Sequence, residues 1–257
     1  VTMTNNTAEA SQLTILDGGV LDIGGTTGGT FQVLVGDGKI RTSSSNLPLV
    51  DDNLAEFTES GNSTIEYFGT SGYILANSPA TYYNLVFTGT GIKTLPNADL
   101  TIRNRLSVDG SDVLFSGDEN GDLYIEGQLD IDHSGSLTLQ EGYDRLIEAN
   151  NLHIGEGGVF TVEPTGSNTH NLTLQEGGIL SDATGSIDLY GNGNHVCDVT
   201  LTGPGSTAIG TSDADIKLNR LIINKDGGLV DQVVVDAFLQ LAGPTNGATK
   251  ALELQKG

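Results

Sequence analysis

Four oxygen-bearing side chains, Asp118, Asn120, Asp122 and Glu126, recur at even spacing in and just beyond the run Asp118-Glu119-Asn120-Gly121-Asp122. Hard oxygen donors placed this way are the ligand type that a calcium ion takes, so these four are the candidate metal ligands and calcium is the one cofactor they suggest. The pattern stops short of a complete calcium loop. An EF-hand requires glycine at the sixth position and a bidentate glutamate at the twelfth, where this chain has Leu123 and Leu129. The competing reading is an acidic turn between strands. Gly18-Gly19-Val20-Leu21-Asp22 likewise departs from the calcium-binding nonapeptide, which needs glycine where Leu21 stands.

Other reactive residue types lack organised partners. Glycoside hydrolysis needs two carboxylates ~5–9.5 Å apart across a sugar; with 33 Asp+Glu in 257 residues many pairs could satisfy that, so no pair stands out. The histidines, His133, His153, His170 and His195, sit in no recognisable catalytic motif, and His153 occupies an outward alternate position between Leu152 and Ile154. In His195-Val196-Cys197-Asp198 a thiol lies near a base, yet no oxyanion-hole motif accompanies it, which reads as a buried bystander. The G-x-G pairs flank strands without a following helix, so they serve corners and not phosphates. The expectation is a protein that is not an enzyme.

Charge narrows the partners further. With 11 Lys+Arg against 33 Asp+Glu the net charge is -22, and the sparse cations are scattered. Nucleic acid, which is bound through counterion release by Lys and Arg, is excluded as an expected partner. The most apolar stretch, residues 233–241, is interrupted by Asp236 and falls short of the ~18–20 residues that span a bilayer, so no direct membrane insertion is expected. Cys197 is the only cysteine, which leaves no disulfide framework within the chain.

The elements that must position all these residues are announced by repeats. Asn151-Leu152-His153-Ile154-Gly155-Glu156-Gly157-Gly158-Val159-Phe160 reappears twenty residues on as Asn171-Leu172-Thr173-Leu174-Gln175-Glu176-Gly177-Gly178-Ile179-Leu180. Further copies begin at Gln12 and Leu137, and a slipped one at Leu221. Each copy is a short alternating segment, then an acidic residue and glycines: a strand and a corner. No copy has enough apolar surface to fold alone, but stacked copies bury leucine on leucine. The predicted fold is all-β: a single parallel β-helix, or β-solenoid, over residues 1–257, with coils of about 20 residues and short loop excursions. At ~4.8 Å per coil, roughly a dozen coils give a rod about 60 Å long. The expected core includes Leu13, Ile15, Leu152, Ile154, Leu172 and Leu174, with Leu152 stacked on Leu172 and the two Gly-Gly pairs at equivalent corners. Two short helical turns are expected, at residues 54–57 and 143–150.

Tyr83-Asn84-Leu85-Val86-Phe87-Thr88-Gly89-Thr90-Gly91-Ile92-Lys93-Thr94-Leu95, continued by Leu100-Thr101-Ile102 and Leu106-Ser107-Val108-Asp109-Gly110, resembles the repeat segments of large secreted Bacteroidota cell-surface proteins, including gliding-motility adhesins. The resemblance covers about a tenth of the chain. It implies export to the outer face of a Gram-negative bacterium, and a stalk or filament role in surface attachment or motility. Extracellular surfaces, glycans or other secreted surface proteins are the implied partners, and no catalytic residues carry over. The ends, lacking leader or anchor signals, read as cuts through a longer repetitive chain. The alternative function is a polysaccharide-binding or polysaccharide-degrading β-helix protein. Tyr73, Tyr82 and Tyr83, clustered here, read either as core or as ligand contacts.

Overall fold

A computed structural model describes residues 9–26, 29–51, 53–59, 61–116, 121–210, 215–226, 231–245 and 248–256. Every strand pairing within them is parallel, and the strands form a 14-stranded, an 8-stranded and a 3-stranded sheet. The chain is a parallel β-solenoid of about 9 turns. With ~4.8 Å between stacked strands the described rod is about 40 Å long.

One coil shows how the sequence makes the shape. Strand Leu100–Asp109 alternates inward Leu100, Ile102, Leu106 and Val108 with polar residues, but its register shifts between Ile102 and Arg105. That irregularity divides the strand into a first and a second segment and bends it. Gly110, at φ 66°, turns the chain into the third segment, Asp112–Phe115, which lies in the 8-stranded sheet. The chain then re-enters beside its own start, Leu123 pairing with Leu100. In the first coils the strands Glu9–Thr14, Thr30–Val35 and Leu49–Val50 form the separate 3-stranded sheet.

The interior is a set of aliphatic ranks. Leu85, Leu106, Leu129 and Leu152 pair in succession and each is 0% exposed. Val113, Leu137, Phe160, Ile187 and Ile216 likewise pair in succession in the third segment, all buried. Close stacking also dictates glycine: at Gly89, φ 79°, a Cβ would stand 2.5 Å from the carbonyl oxygen of Gly69 one coil below.

Two expectations about spacing need correction. The coils are of roughly 23 residues, not about 20, as the succession Leu106, Leu129, Leu152 shows. Leu152 stacks on Leu129 and Ile179, whereas Leu172 stacks on Ile147 and Val199. The two motif copies therefore occupy different parts of the coil. After Gly157-Gly158 the chain enters Val159–Val162 of the 8-stranded sheet; after Gly177-Gly178 it enters Ile179–Ser181, still in the 14-stranded sheet. Both copies lie in the interior as expected, along with Ile15, and Leu13 packs partly buried against them.

Of the two helical turns, one forms. Helix Ala55–Thr58 packs Phe57, fully buried, against strands Thr81–Thr88 and Thr30–Val35. Residues 143–150 instead run into strand Leu146–Ile154, because Ile147 and Ala149 alternate inward at period two and stack on Leu123 and Ile125.

Candidate functional site

Of the predicted calcium ligands, Asp118 and Asn120 lie outside the described residues. Asp122 is placed as a tie between coils. Its backbone N–H donates to Asp99 Oδ1 at 2.9 Å, its Oδ1 accepts from the Leu146 N–H at 2.9 Å, and its Oδ2 accepts from the Tyr124 hydroxyl at 3.4 Å. Glu126 is exposed on the bend, and its carbonyl accepts from Asn150 Nδ2 at 2.7 Å. Among the described residues no three His, Cys, Asp or Glu side chains form a group that could hold a metal ion.

Three cations are interior. Lys93 occupies an inward rank between Tyr73 and Val113, fully buried, and its Nζ donates to the carbonyls of Thr88 at 2.8 Å, Gly69 at 3.1 Å and Gly89 at 3.2 Å. Burial lowers its pKa, against the raising influence of Asp112. Lys225 repeats the arrangement, donating to the Thr202 carbonyl and Thr207 Oγ1, both at 2.8 Å. Buried Arg145 donates to the carbonyls of Gly121, at 2.7 Å, and Ser116. These cations are satisfied chiefly by backbone carbonyls at the corners of the coils. The signal was available: Lys93 shares parity with inward Leu95.

His170 and His195, both 0% exposed, meet Nε2 to Nε2 at 2.7 Å. The backbone N–H of Arg145 donates to His170 Nδ1 at 3.1 Å, which places the His170 proton on Nε2. That proton is donated to His195 Nε2, and His195 Nδ1–H donates to the carbonyls of Glu163, at 2.9 Å, and Thr165. Two neutral imidazoles thus satisfy every ring nitrogen. Burial, with the neighbouring His195 and Arg145, lowers the His170 pKa to about 3 despite Asp144. Cys197 is buried in the same region, its thiol pushed well above the usual value by burial and Asp198. Tyr82 is core: its hydroxyl meets that of Tyr67 at 3.3 Å, and burial raises its pKa to about 12. Tyr73 packs half-buried against the same Tyr67 ring, centroids 6.2 Å apart.

The outward face of the second segment is the most organised polar surface. One column runs Lys39, Thr64, Asn84, Arg105, Gln128, Asn151, and the next Asp22, Arg41, Glu66, Val86, Ser107, Asp130, His153. Two ion clusters stand on it. Lys39 Nζ lies 2.8 Å and Arg41 Nε 3.1 Å from the buried carboxylate of Glu66, which also accepts from Thr88 Oγ1 at 3.0 Å. Burial acts to raise the Glu66 pKa, but Lys39, Thr88 and Arg41 together hold it below the ordinary value. Arg41 also lies over the Phe68 ring, 4.3 Å from its centroid. In the second cluster buried Asp130 pairs with Arg105 on Oδ2 and with His153 Nδ1 on Oδ1. His153 is therefore outward, as expected, but anchored. A trough of about 310 Å³ lies between the clusters. No family model, curated protein or solved structure matches the chain.

Proposed function

We propose that the chain is a non-catalytic structural and adhesive segment of an extracellular surface protein of a Gram-negative bacterium, serving as a stalk or filament in attachment or motility. The observation that carries this reading is the continuous parallel stack, in which each coil contacts its neighbours and length grows by repetition. The resemblance of residues 83–110 to repeats of large secreted Bacteroidota surface proteins supports it. So does the net charge of -22, suited to keeping rods apart and in solution. Buried Asp130, the carboxylate best placed beside a histidine on the outer face, is engaged on both oxygens, which favours a structural over a catalytic role. An antibody raised against the purified chain and applied to intact cells of the source organism tests the location. Surface labelling is expected; labelling only after lysis would contradict the proposal.

A further inference from the structure

We propose that the trough between Lys39 and Arg105 binds an uncharged saccharide; this rests on the adhesive reading above and names the face that makes the contact. The trough has a cause in the sequence. Its floor is Thr64, Asn84, Val86 and Ser107, all small or medium side chains, while the ion clusters at either end stand taller. From Lys39 to Arg105 is three strand steps, ~14 Å. That is room for a short run of sugar rings laid across the strands.

The end groups are held in place from beneath. Glu66 fixes Lys39 and Arg41, and Asp130 fixes Arg105, so the remaining ammonium and guanidinium N–H groups are positioned donors that lose little freedom on binding. Charge decides what they receive. Lys39 and Arg41 are paired with Glu66, Arg41 also with Asp22, and Arg105 with Asp130, while Asp109, which also lines the trough, holds His133. A polyanion would find no cation in excess here, and would approach against the field of a chain of net charge -22. A cationic ligand, though drawn by the overall charge, would find the acids of the trough already engaged, Glu66 by Lys39 and Arg41, Asp130 by Arg105 and His153, and Asp109 by His133. A hydroxyl-rich, uncharged chain matches interleaved donors and acceptors without either penalty. No aromatic ring lines the trough, so a single contact is weak, in the millimolar range. Weak contacts suit a surface-bound adhesive segment that engages many times at once.

The test is amide chemical-shift mapping of the isotope-labelled chain with xylotetraose, mannotetraose and cellotetraose, and with tetragalacturonate as the anionic arm. At least one neutral tetrasaccharide is expected to shift the amides of Thr64, Asn84 and Ser107, with saturation in the millimolar range. Val86→Phe, which fills the floor, and Lys39→Ala with Arg105→Ala, which removes the ends, should each abolish those saccharide-induced shifts while amides remote from the two ion clusters stay where they are in the parent chain. Absence of shifts with all three neutral probes, shifts confined to another face, a response to tetragalacturonate alone, or full binding by Val86→Phe would overturn the inference. Those outcomes leave surface labelling of intact cells untouched, so failure here and failure of the extracellular reading are separable.

Discussion

At His170 and His195 the fold holds two imidazoles neutral in a place that water does not reach. The consequence for stability has a definite sign. His170 has its native pKa lowered to about 3 from an ordinary 6.5, so between those values the unfolded chain binds a proton that the native chain does not. Stability from this group is fully present above pH 6.5 and declines as pH falls toward 3, by at most about 1.4 kcal/mol per pH unit. Exposed His133, raised chiefly by its hydrogen bond to Asp109, acts in the opposite direction. The melting temperature is expected to fall between pH 7 and pH 5. His170→Asn, which keeps an acceptor for the Arg145 N–H but cannot titrate, should flatten that fall; an equally steep profile in the variant would remove the pair as its cause. The pair was only half legible in the sequence. His170 shares parity with inward Leu172, but its partner lies 25 residues away and is reached only when the coil length is known. Lys93 carries its signal locally, in its parity with inward Leu95, but the carbonyls of Gly69, Thr88 and Gly89 that receive its ammonium come together only in the coil.

Strands and corners were readable because they are local. Alternating leucine and isoleucine followed by an acidic residue and glycines requires only a half-buried strand and a tight turn, and the chain delivers both at 151–158 and 171–178. Which corner of the coil each copy occupies is a property of the loops between them. Residues 163–168 form the corner that returns the chain from the third segment to the first, stacked on residues 139–144, so the second copy falls on the first segment of the next coil and the twenty-residue repeat is not the coil. The helical expectation at 143–150 failed for a related reason: two apolar residues at alternate positions serve a strand once neighbouring strands are there to receive them. The register is open to cross-linking. Thr173 and Thr200 are paired neighbours on the outer face, whereas His153 and Thr173, twenty residues apart, are not paired. Thr173→Cys with Thr200→Cys is expected to form a disulfide on mild oxidation, with buried Cys197 unreactive, and His153→Cys with Thr173→Cys is not. Mass spectrometry showing the reverse would refute the register.

For the whole molecule, the sequence disclosed the architecture and the charge, and little of the candidate surface. A lateral trough arises from residues 39, 64, 84 and 105, brought side by side by three successive pairings, and no local pattern announces such a column. The charge of -22 and the parallel stack together describe an acidic rod, which under the proposed function stays apart from its neighbours and makes its contacts along its flank. The most direct test of that role is an in-frame deletion of residues 9–256 from the chromosomal copy in the source organism, scored for attachment to surfaces, for gliding, and for growth on polysaccharides as sole carbon source. Loss of attachment or gliding with unchanged growth is the expected result. Unchanged attachment and gliding, with growth on a polysaccharide abolished, would contradict the account and favour a degradative β-helix.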